Sequence, residues 1–276
     1  MTPSRFLQAP GPPGSLDKAD RPDTIPPHDA ERRHPRMIYT TPGGSYSRLY
    51  ADMATKPHLL IAGKTGSGKS TVLNGIIHAL LHDGPDTTRF IMIDLKRVEL
   101  CEYRDLPHLH SYADDVPSAL QALQTAIDIM LARYTDMQRR RIKEYDGSHL
   151  YVIIDELADL MTTAPKQAAP LIQRITQLGR GASCHMIAAT QCPISAVIPT
   201  PIKVNFPAKL GLMTATAQDS RNIIARAGCE KLPYPPDAGE AYGYYLRGPK
   251  LDLYQLPRIP DAERHRIIDH WTRQSA

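Results

Sequence analysis

The segment that most restricts how this chain can fold is Gly63-Lys64-Thr65-Gly66-Ser67-Gly68-Lys69-Ser70. It follows five residues, His58-Leu59-Leu60-Ile61-Ala62, that read as a short buried strand, and it leads into a helix-period stretch from about Lys69 to Leu81. Strand, glycine-rich loop and helix in that order make the Walker A pattern. Backbone amides there wrap around phosphates, and the helix N-terminus adds positive potential. Gly63 through Ser70, with Thr71 next, are the expected nucleotide-binding residues. Lys69 is expected on the β- and γ-phosphates and the Ser70 hydroxyl on Mg²⁺, with ATP as the nucleotide. A glycine-rich turn that binds nothing would leave Lys69, Ser70 and both flanking elements without a reason.

Such a unit needs a sheet around it, and the chain supplies further strands. Phe90–Ile93 runs into Asp94, Leu150–Ile154 into Asp155-Glu156, and Cys184–Ala189 into Thr190-Gln191; Ala208–Met213 is a further apolar run. Helical periodicity lies between them. Asp114 or Asp115 caps a long helix that has Pro117 in its first turn and a stripe of Leu120, Leu123, Ile127, Met130, Leu131, Tyr134 and Met137. Ala168, Leu171, Ile172 and Ile175 mark a second helix stopping near Gly179, and 217–227 a third. Aromatic alternation over 240–255, around Arg247-Gly248-Pro249, reads as a hairpin. The expected fold class is α/β, a mainly parallel sheet covered by helices on both faces. Residues 1–36 carry eight prolines and few large apolar side chains, so a disordered Pro-rich arm is expected ahead of one domain over 37–276.

Bulk properties narrow the function. A formal charge of +4 permits a nucleic-acid partner without requiring one, and 6% aromatics argue against reading single strands by base stacking. Cys101, Cys184, Cys192 and Cys229 form no Cys-x-x-Cys pair and read as the reduced thiols of a cytoplasmic protein, Cys184 being a buried strand residue. No apolar run approaches the length of a membrane helix, and the first residues lack the apolar stretch of a signal peptide. Membrane association is therefore expected only through a partner.

The catalytic expectation rests on the strand ends. Four apolar residues running into Asp155-Glu156 make a Walker B strand, with Asp155 in the Mg²⁺ shell and Glu156 as the base that polarises the attacking water. Gln191, at the end of the next strand, is placed to sense the γ-phosphate, a capping or turn role being the alternative. His108 and His110, near Asp105, have no standard metal spacing and read as packing or capping residues. Arg139-Arg140-Arg141-Ile142-Lys143 is the densest basic run. It reads either as a DNA-facing surface or as a solvated helix end that complements the dipole. Lys203 is a further possible DNA contact, in a stretch whose prolines would equally shape a rigid turn.

With these motifs placed, the stretch from about Tyr39 to Tyr254 resembles the FtsK/SpoIIIE family of DNA translocases. The resemblance is carried by 56–63 running into the Walker loop, Arg89-Phe90-Ile91-Met92-Ile93-Asp94, Leu106-Pro107-His108-Leu109, 154–161, Ala188-Ala189-Thr190-Gln191-Cys192-Pro193, 219–224 and 227–232. It implies a RecA-like P-loop motor that assembles into a homo-oligomeric ring, usually a hexamer, around double-stranded DNA and hydrolyses ATP at subunit interfaces. It also implies an arginine donated by the neighbour. Arg180 matches the family's basic position before the fourth strand, and Arg221 is the second candidate; for either, the alternative is an ordinary salt bridge. The glycine-rich string that the family carries after Leu232 is here Pro233-Tyr234-Pro235-Pro236, and neither a membrane-spanning region ahead of the core nor a winged-helix module after it is expected. The resemblance so modified points to a stand-alone motor of a conjugative or other mobile element, with membrane or relaxosome proteins as expected partners. Two rivals stand beside it: a secretion-type ATPase acting on protein, which salt-sensitive DNA binding would argue against, and a non-hydrolysing assembly module, which an intact Glu156 argues against.

Overall fold

In a computed structural model, the described residues are 37–40, 46–49, 57–235 and 240–274. The Pro-rich stretch 1–36 lies outside them. The strands are β1 (Met37–Thr40), β2 (Tyr46–Leu49), β3 (His58–Ala62), β4 (Thr88–Ile93), β5 (Leu109–Ala113), β6 (His149–Ile154), β7 (Cys184–Thr190), β8 (Ala208–Leu212), β9 (Ala241–Arg247) and β10 (Lys250–Leu256). The helices are α1 (Lys69–Leu80), α2 (Val116–Arg140), α3 (Leu157–Thr163), α4 (Pro165–Leu178), α5 (Thr200–Val204), α6 (Ala217–Ile224) and α7 (Asp261–Gln274).

All strands join one sheet in the order β2-β1-β10-β9-β8-β3-β7-β6-β4-β5. From β8 to β5 the neighbours are parallel, and from β8 outwards through β9, β10, β1 and β2 they are antiparallel. Both faces of the parallel part are covered. Along β3, Leu59 and Ile61 join one core cluster with α1 and α7 residues, whereas Leu60 joins a second with residues of α2, α3 and α4. Tyr151 and Ile153 of β6 divide from Leu150, Val152 and Ile154 in the same way. Period-two alternation into two separate cores explains why these strands read as continuous apolar runs. The result is the mainly parallel, two-sided α/β sheet expected from the sequence.

The long helix α2 begins where its capping chemistry puts it. The Asp115 side chain accepts from Ser118 N at 2.8 Å, the Ser118 side chain accepts from Asp115 N, and Pro117 sits in the first turn. Its stripe is buried at Leu123, Ile127, Met130 and Met137, but Leu131 is 40% exposed and Arg133 is buried instead. The Arg133 guanidinium donates to Ala182 O and Ser183 O and lies over the Tyr145 ring, so its charge is met by carbonyls and a π face. Six elements escaped the sequence reading: β1, β2, β5, α3, α5 and α7. The last is docked by Trp271, whose indole donates to Leu81 O at 2.8 Å.

Several expectations resolve on surface geometry. Arg139 and Arg140 both pair with Asp136, and Arg140 also pairs with Asp146, which supports the solvated helix end for this run. Lys203 points inward, its ammonium donating to Pro193 O at 3.0 Å and Ser195 Oγ at 2.9 Å, so it braces the 193–203 turn. His108 is fully buried, stacked on Phe90 with Nε2 2.9 Å from Asp83 O, whereas His110 is exposed. α6 ends at Ile224, three residues before the expected limit, because Ala225 takes the left-handed conformation (φ 59°). Among the described residues, no helix is long and apolar enough to cross a membrane.

Candidate nucleotide site

The parallel strands deliver their carboxyl ends to one edge of the sheet, where an α/β fold binds ligands. The Walker loop leaves β3 there and is tied on both sides. Gly63 N donates to Thr190 O (3.2 Å) at the end of β7, and Lys64 N donates to Met213 O (2.9 Å) just past β8. Two glycines in the loop have a structural requirement. Gly66 (φ 76°) lies so that a Cβ would come within 2.7 Å of the Tyr234 hydroxyl, and Gly68 (φ 89°) is packed against Ala241. Thr71 follows Lys69 and Ser70 in the first turn of α1, so 63–71 form one continuous cradle.

Lys69 is 7% exposed, and its ammonium donates to Asp155 Oδ1 (2.8 Å) and Asp155 O (2.9 Å). Glu156 caps α3 through Ala158 N, and its two carboxylate oxygens accept from Gln191 N at 3.1 Å each. The Gln191 side chain in turn accepts from Thr65 Oγ1 at 2.6 Å. Gln191 therefore ties the phosphate loop to the candidate base. Lys69, Asp155, Glu156, Gln191 and the loop, all singled out in the sequence, come together here.

Two residues at this edge were missed. The loop after β4 brings Lys96 to 3.6 Å from both Glu156 Oε2 and Asp159 Oδ2, and it brings Glu99 to Ser70, whose hydroxyl donates to Glu99 Oε1 at 2.6 Å. Burial acts to lower the Lys96 pKa, but Glu156, Asp159 and Asp155 outweigh it and leave it raised. The available signal was Asp94 at a strand end followed within five positions by Lys96, Arg97 and Glu99. Nothing local says which partners they meet.

The oxygen donors suit Mg²⁺. Ser70 and Asp155 are hard ligands, and among the described residues no group of three His, Cys, Asp or Glu forms a metal cage of its own. A hydroxyl with a few carboxylates, completed by phosphate oxygens and water, is how Mg²⁺ is ordinarily held. Arg180 is not part of this constellation. It is exposed and precedes β7, whereas Gln191 follows β7, so the whole strand separates it from the chain's own phosphate loop. Arg221 is exposed on α6.

Comparison with known proteins agrees with this geometry. The FtsK/SpoIIIE family model matches residues 27–151 and 146–195. A "DNA translocase FtsK" of Mycobacterium tuberculosis (strain CDC 1551 / Oshkosh) is 38% identical over 247 residues, covering 80% of this chain and 29% of its own length. Its counterpart in Streptomyces avermitilis is 37% identical over 274 residues, covering 90% of this chain and 30% of its own. The chain thus spans about 30% of the length of these curated relatives. Among solved structures, the pCW3 conjugation coupling protein TcpA, in monomer form with ATPγS, superposes with a TM-score of 0.72 at 22% identity over 91% of this chain and 75% of its own. The cytoplasmic domain of the Thermomonospora curvata Type VII secretion ATPase EccC gives 0.73 at 21% over 95% and 33%. These two likenesses establish a RecA-like P-loop ATPase fold. Family match, fold and converging Walker residues lead to one assignment: this chain belongs to the FtsK/SpoIIIE family.

Proposed function

We propose that this chain is a cytoplasmic motor domain that hydrolyses ATP with Mg²⁺ and uses the energy to move double-stranded DNA. The observation that carries the reading is the meeting of Lys69, Asp155, Glu156 and Gln191 at the mouth of the Walker loop, in a chain 37–40% identical to proteins named DNA translocase. The amides of 63–71 and the Lys69 ammonium bind and neutralise the phosphates. Ser70 and Asp155 hold the cation, which when bound supplies charge neutralisation and orientation of the phosphates. Glu156 takes the proton of the attacking water, and Gln191 N holds that carboxylate in place. Thr65 and Gln191 link the phosphate loop to the base, so loss of the γ-phosphate is felt at the end of β7.

Arg180 stands at the end of β7 away from the chain's own phosphate loop. An arrangement of subunits that brings Arg180 of one to the loop of the next would complete the site, and a closed ring, a hexamer in the family's usual form, is the arrangement we propose. A role in moving a conjugative or other mobile element, in contact with membrane or relaxosome proteins, follows from that reading.

The test is ATP hydrolysis by the full chain with and without linear duplex DNA, at several salt concentrations, with Lys69→Ala as the blank. Stimulation by duplex that weakens with salt and vanishes in the blank supports a DNA motor. Hydrolysis indifferent to DNA would refute the DNA substrate and favour a protein-moving ATPase. No hydrolysis under any condition would leave a nucleotide-binding assembly module.

A further inference from the structure

The loop after β4 is built rather than draped. Arg97 N donates to Asp94 O and adopts φ 59°, Leu100 N donates to Asp94 Oδ2 at 2.9 Å, and Leu100 itself is fully buried. Asp94 is fully buried too, and its Oδ2 also accepts from Tyr112. Fixed at both ends, the loop sets Glu99 against Ser70 at 2.6 Å and Lys96 against Glu156 at 3.6 Å. The Ser70 hydroxyl has one hydrogen and two lone pairs. With its hydrogen committed to Glu99 Oε1, the oxygen presents only lone pairs to the Lys69–Asp155 side of the site, which is what a cation requires of a hydroxyl ligand.

We propose that Glu99 is a positioning residue of the Mg²⁺ shell. It takes the Ser70 hydrogen, aims the Ser70 lone pairs at the cation and adds a negative charge beside it, as outer-shell partners do for other metal ligands. This rests on the nucleotide-site reading above. Its consequence is specific. Removing Glu99 weakens the cation and leaves the amide cradle for phosphates intact, because the loop is held by bonds to Thr190, Met213, Gln191 and Asp155.

The test is binding of a fluorescent ADP analogue to the full chain, in EDTA and across an Mg²⁺ titration, for the wild type, Glu99→Gln and Glu99→Ala. In EDTA the three should bind within about threefold of one another. The Mg²⁺ concentration giving half-maximal effect should rise about tenfold or more in Glu99→Ala, in the lower part of the range measured for outer-shell substitutions. Glu99→Gln, which keeps an acceptor oxygen but loses the charge, should fall between. It also serves as the working variant if Glu99→Ala does not fold. An Mg²⁺ curve unchanged in both variants overturns the proposal. So does an equal loss of affinity in EDTA and in Mg²⁺, which would make Glu99 a mere prop of the loop. If the wild type binds no analogue in either condition, it is the nucleotide-site reading that has failed, and Glu99 loses its role with it.

Discussion

Replacing Lys69 with alanine should unfold the protein more readily as well as silence it. The Lys69–Asp155 pair is closed at 2.8 Å, with side chains only 7% and 2% exposed. Deleting the ammonium strands a carboxylate where water cannot reach it, and breaking one partner of such a buried pair costs about 3–5 kcal/mol. Lys64 offers the internal control. It lies on the same loop, its ammonium 5.6 Å from the centre of the exposed Tyr234 ring, and truncating it should cost about 1 kcal/mol or less. Unfolding entropy is about 2.1 cal/mol/K per residue, or roughly 0.6 kcal/mol/K for a chain of this size, so Lys69→Ala should lower Tm by about 5–9 °C. Scanning calorimetry without nucleotide measures this directly. Asp155→Asn in the Lys69→Ala background should recover more than about 1 kcal/mol, because it removes the stranded charge. If Lys69→Ala melts within about 2 °C of Lys64→Ala, or the double variant recovers nothing, the pair is not the buried contact described here. The outcome also decides how an inactive Lys69→Ala control is to be read, since a partly unfolded blank mimics a catalytic defect.

Three further outcomes follow from the site and the core. Glu156→Gln should lower hydrolysis about 10²–10⁴-fold while retaining nucleotide binding, and single-turnover rates showing full activity would remove Glu156 as the base. Arg180→Ala and Lys69→Ala should each be inactive alone, yet regain hydrolysis when mixed, since some interfaces then combine an intact loop with an intact arginine; no recovery at any ratio would refute action on the neighbour. Burial pushes His58 down to about 3, against a backbone hydrogen bond that raises it, and His78 down to about 4 through burial and the nearby His82, Arg266 and Arg264. Both are neutral in the folded chain, whereas the unfolded chain protonates them below about 6.5. Their contribution to stability is therefore complete above that pH and is lost as pH falls towards 4 and 3, by up to about 1.4 kcal/mol per pH unit for each group. Equilibrium unfolding between pH 7 and 4 should show this slope. His58→Asn, which keeps an acceptor for Met186 N, should flatten it by one proton's worth, and an unchanged slope would remove His58 as a source.

What could be read in the chain itself was whatever depends on residues close together in sequence. The Walker loop is one unbroken segment between a strand and a helix, Asp155 and Glu156 end one apolar strand, and the cap of α2 lies within four residues, so local geometry determined each of them. Period two and period 3.6 sorted most strands and helices for the same reason. Only the tertiary structure decided the rest. β4 is separated from β6 by 55 residues of chain, from Ile93 to His149, yet the two lie side by side, and this brings Lys96 to Glu156. Glu99 reaches Ser70 across a gap of 29 residues, and Gln191 reaches Thr65 across 126. Arg133 is charged yet buried because the Ala182 and Ser183 carbonyls, far along the chain, converge on it, and Lys203 is buried against Pro193 O and Ser195 Oγ. A residue's neighbours along the chain set its conformation. Its partners are set by the strand order, in which sequence distance and spatial distance part company.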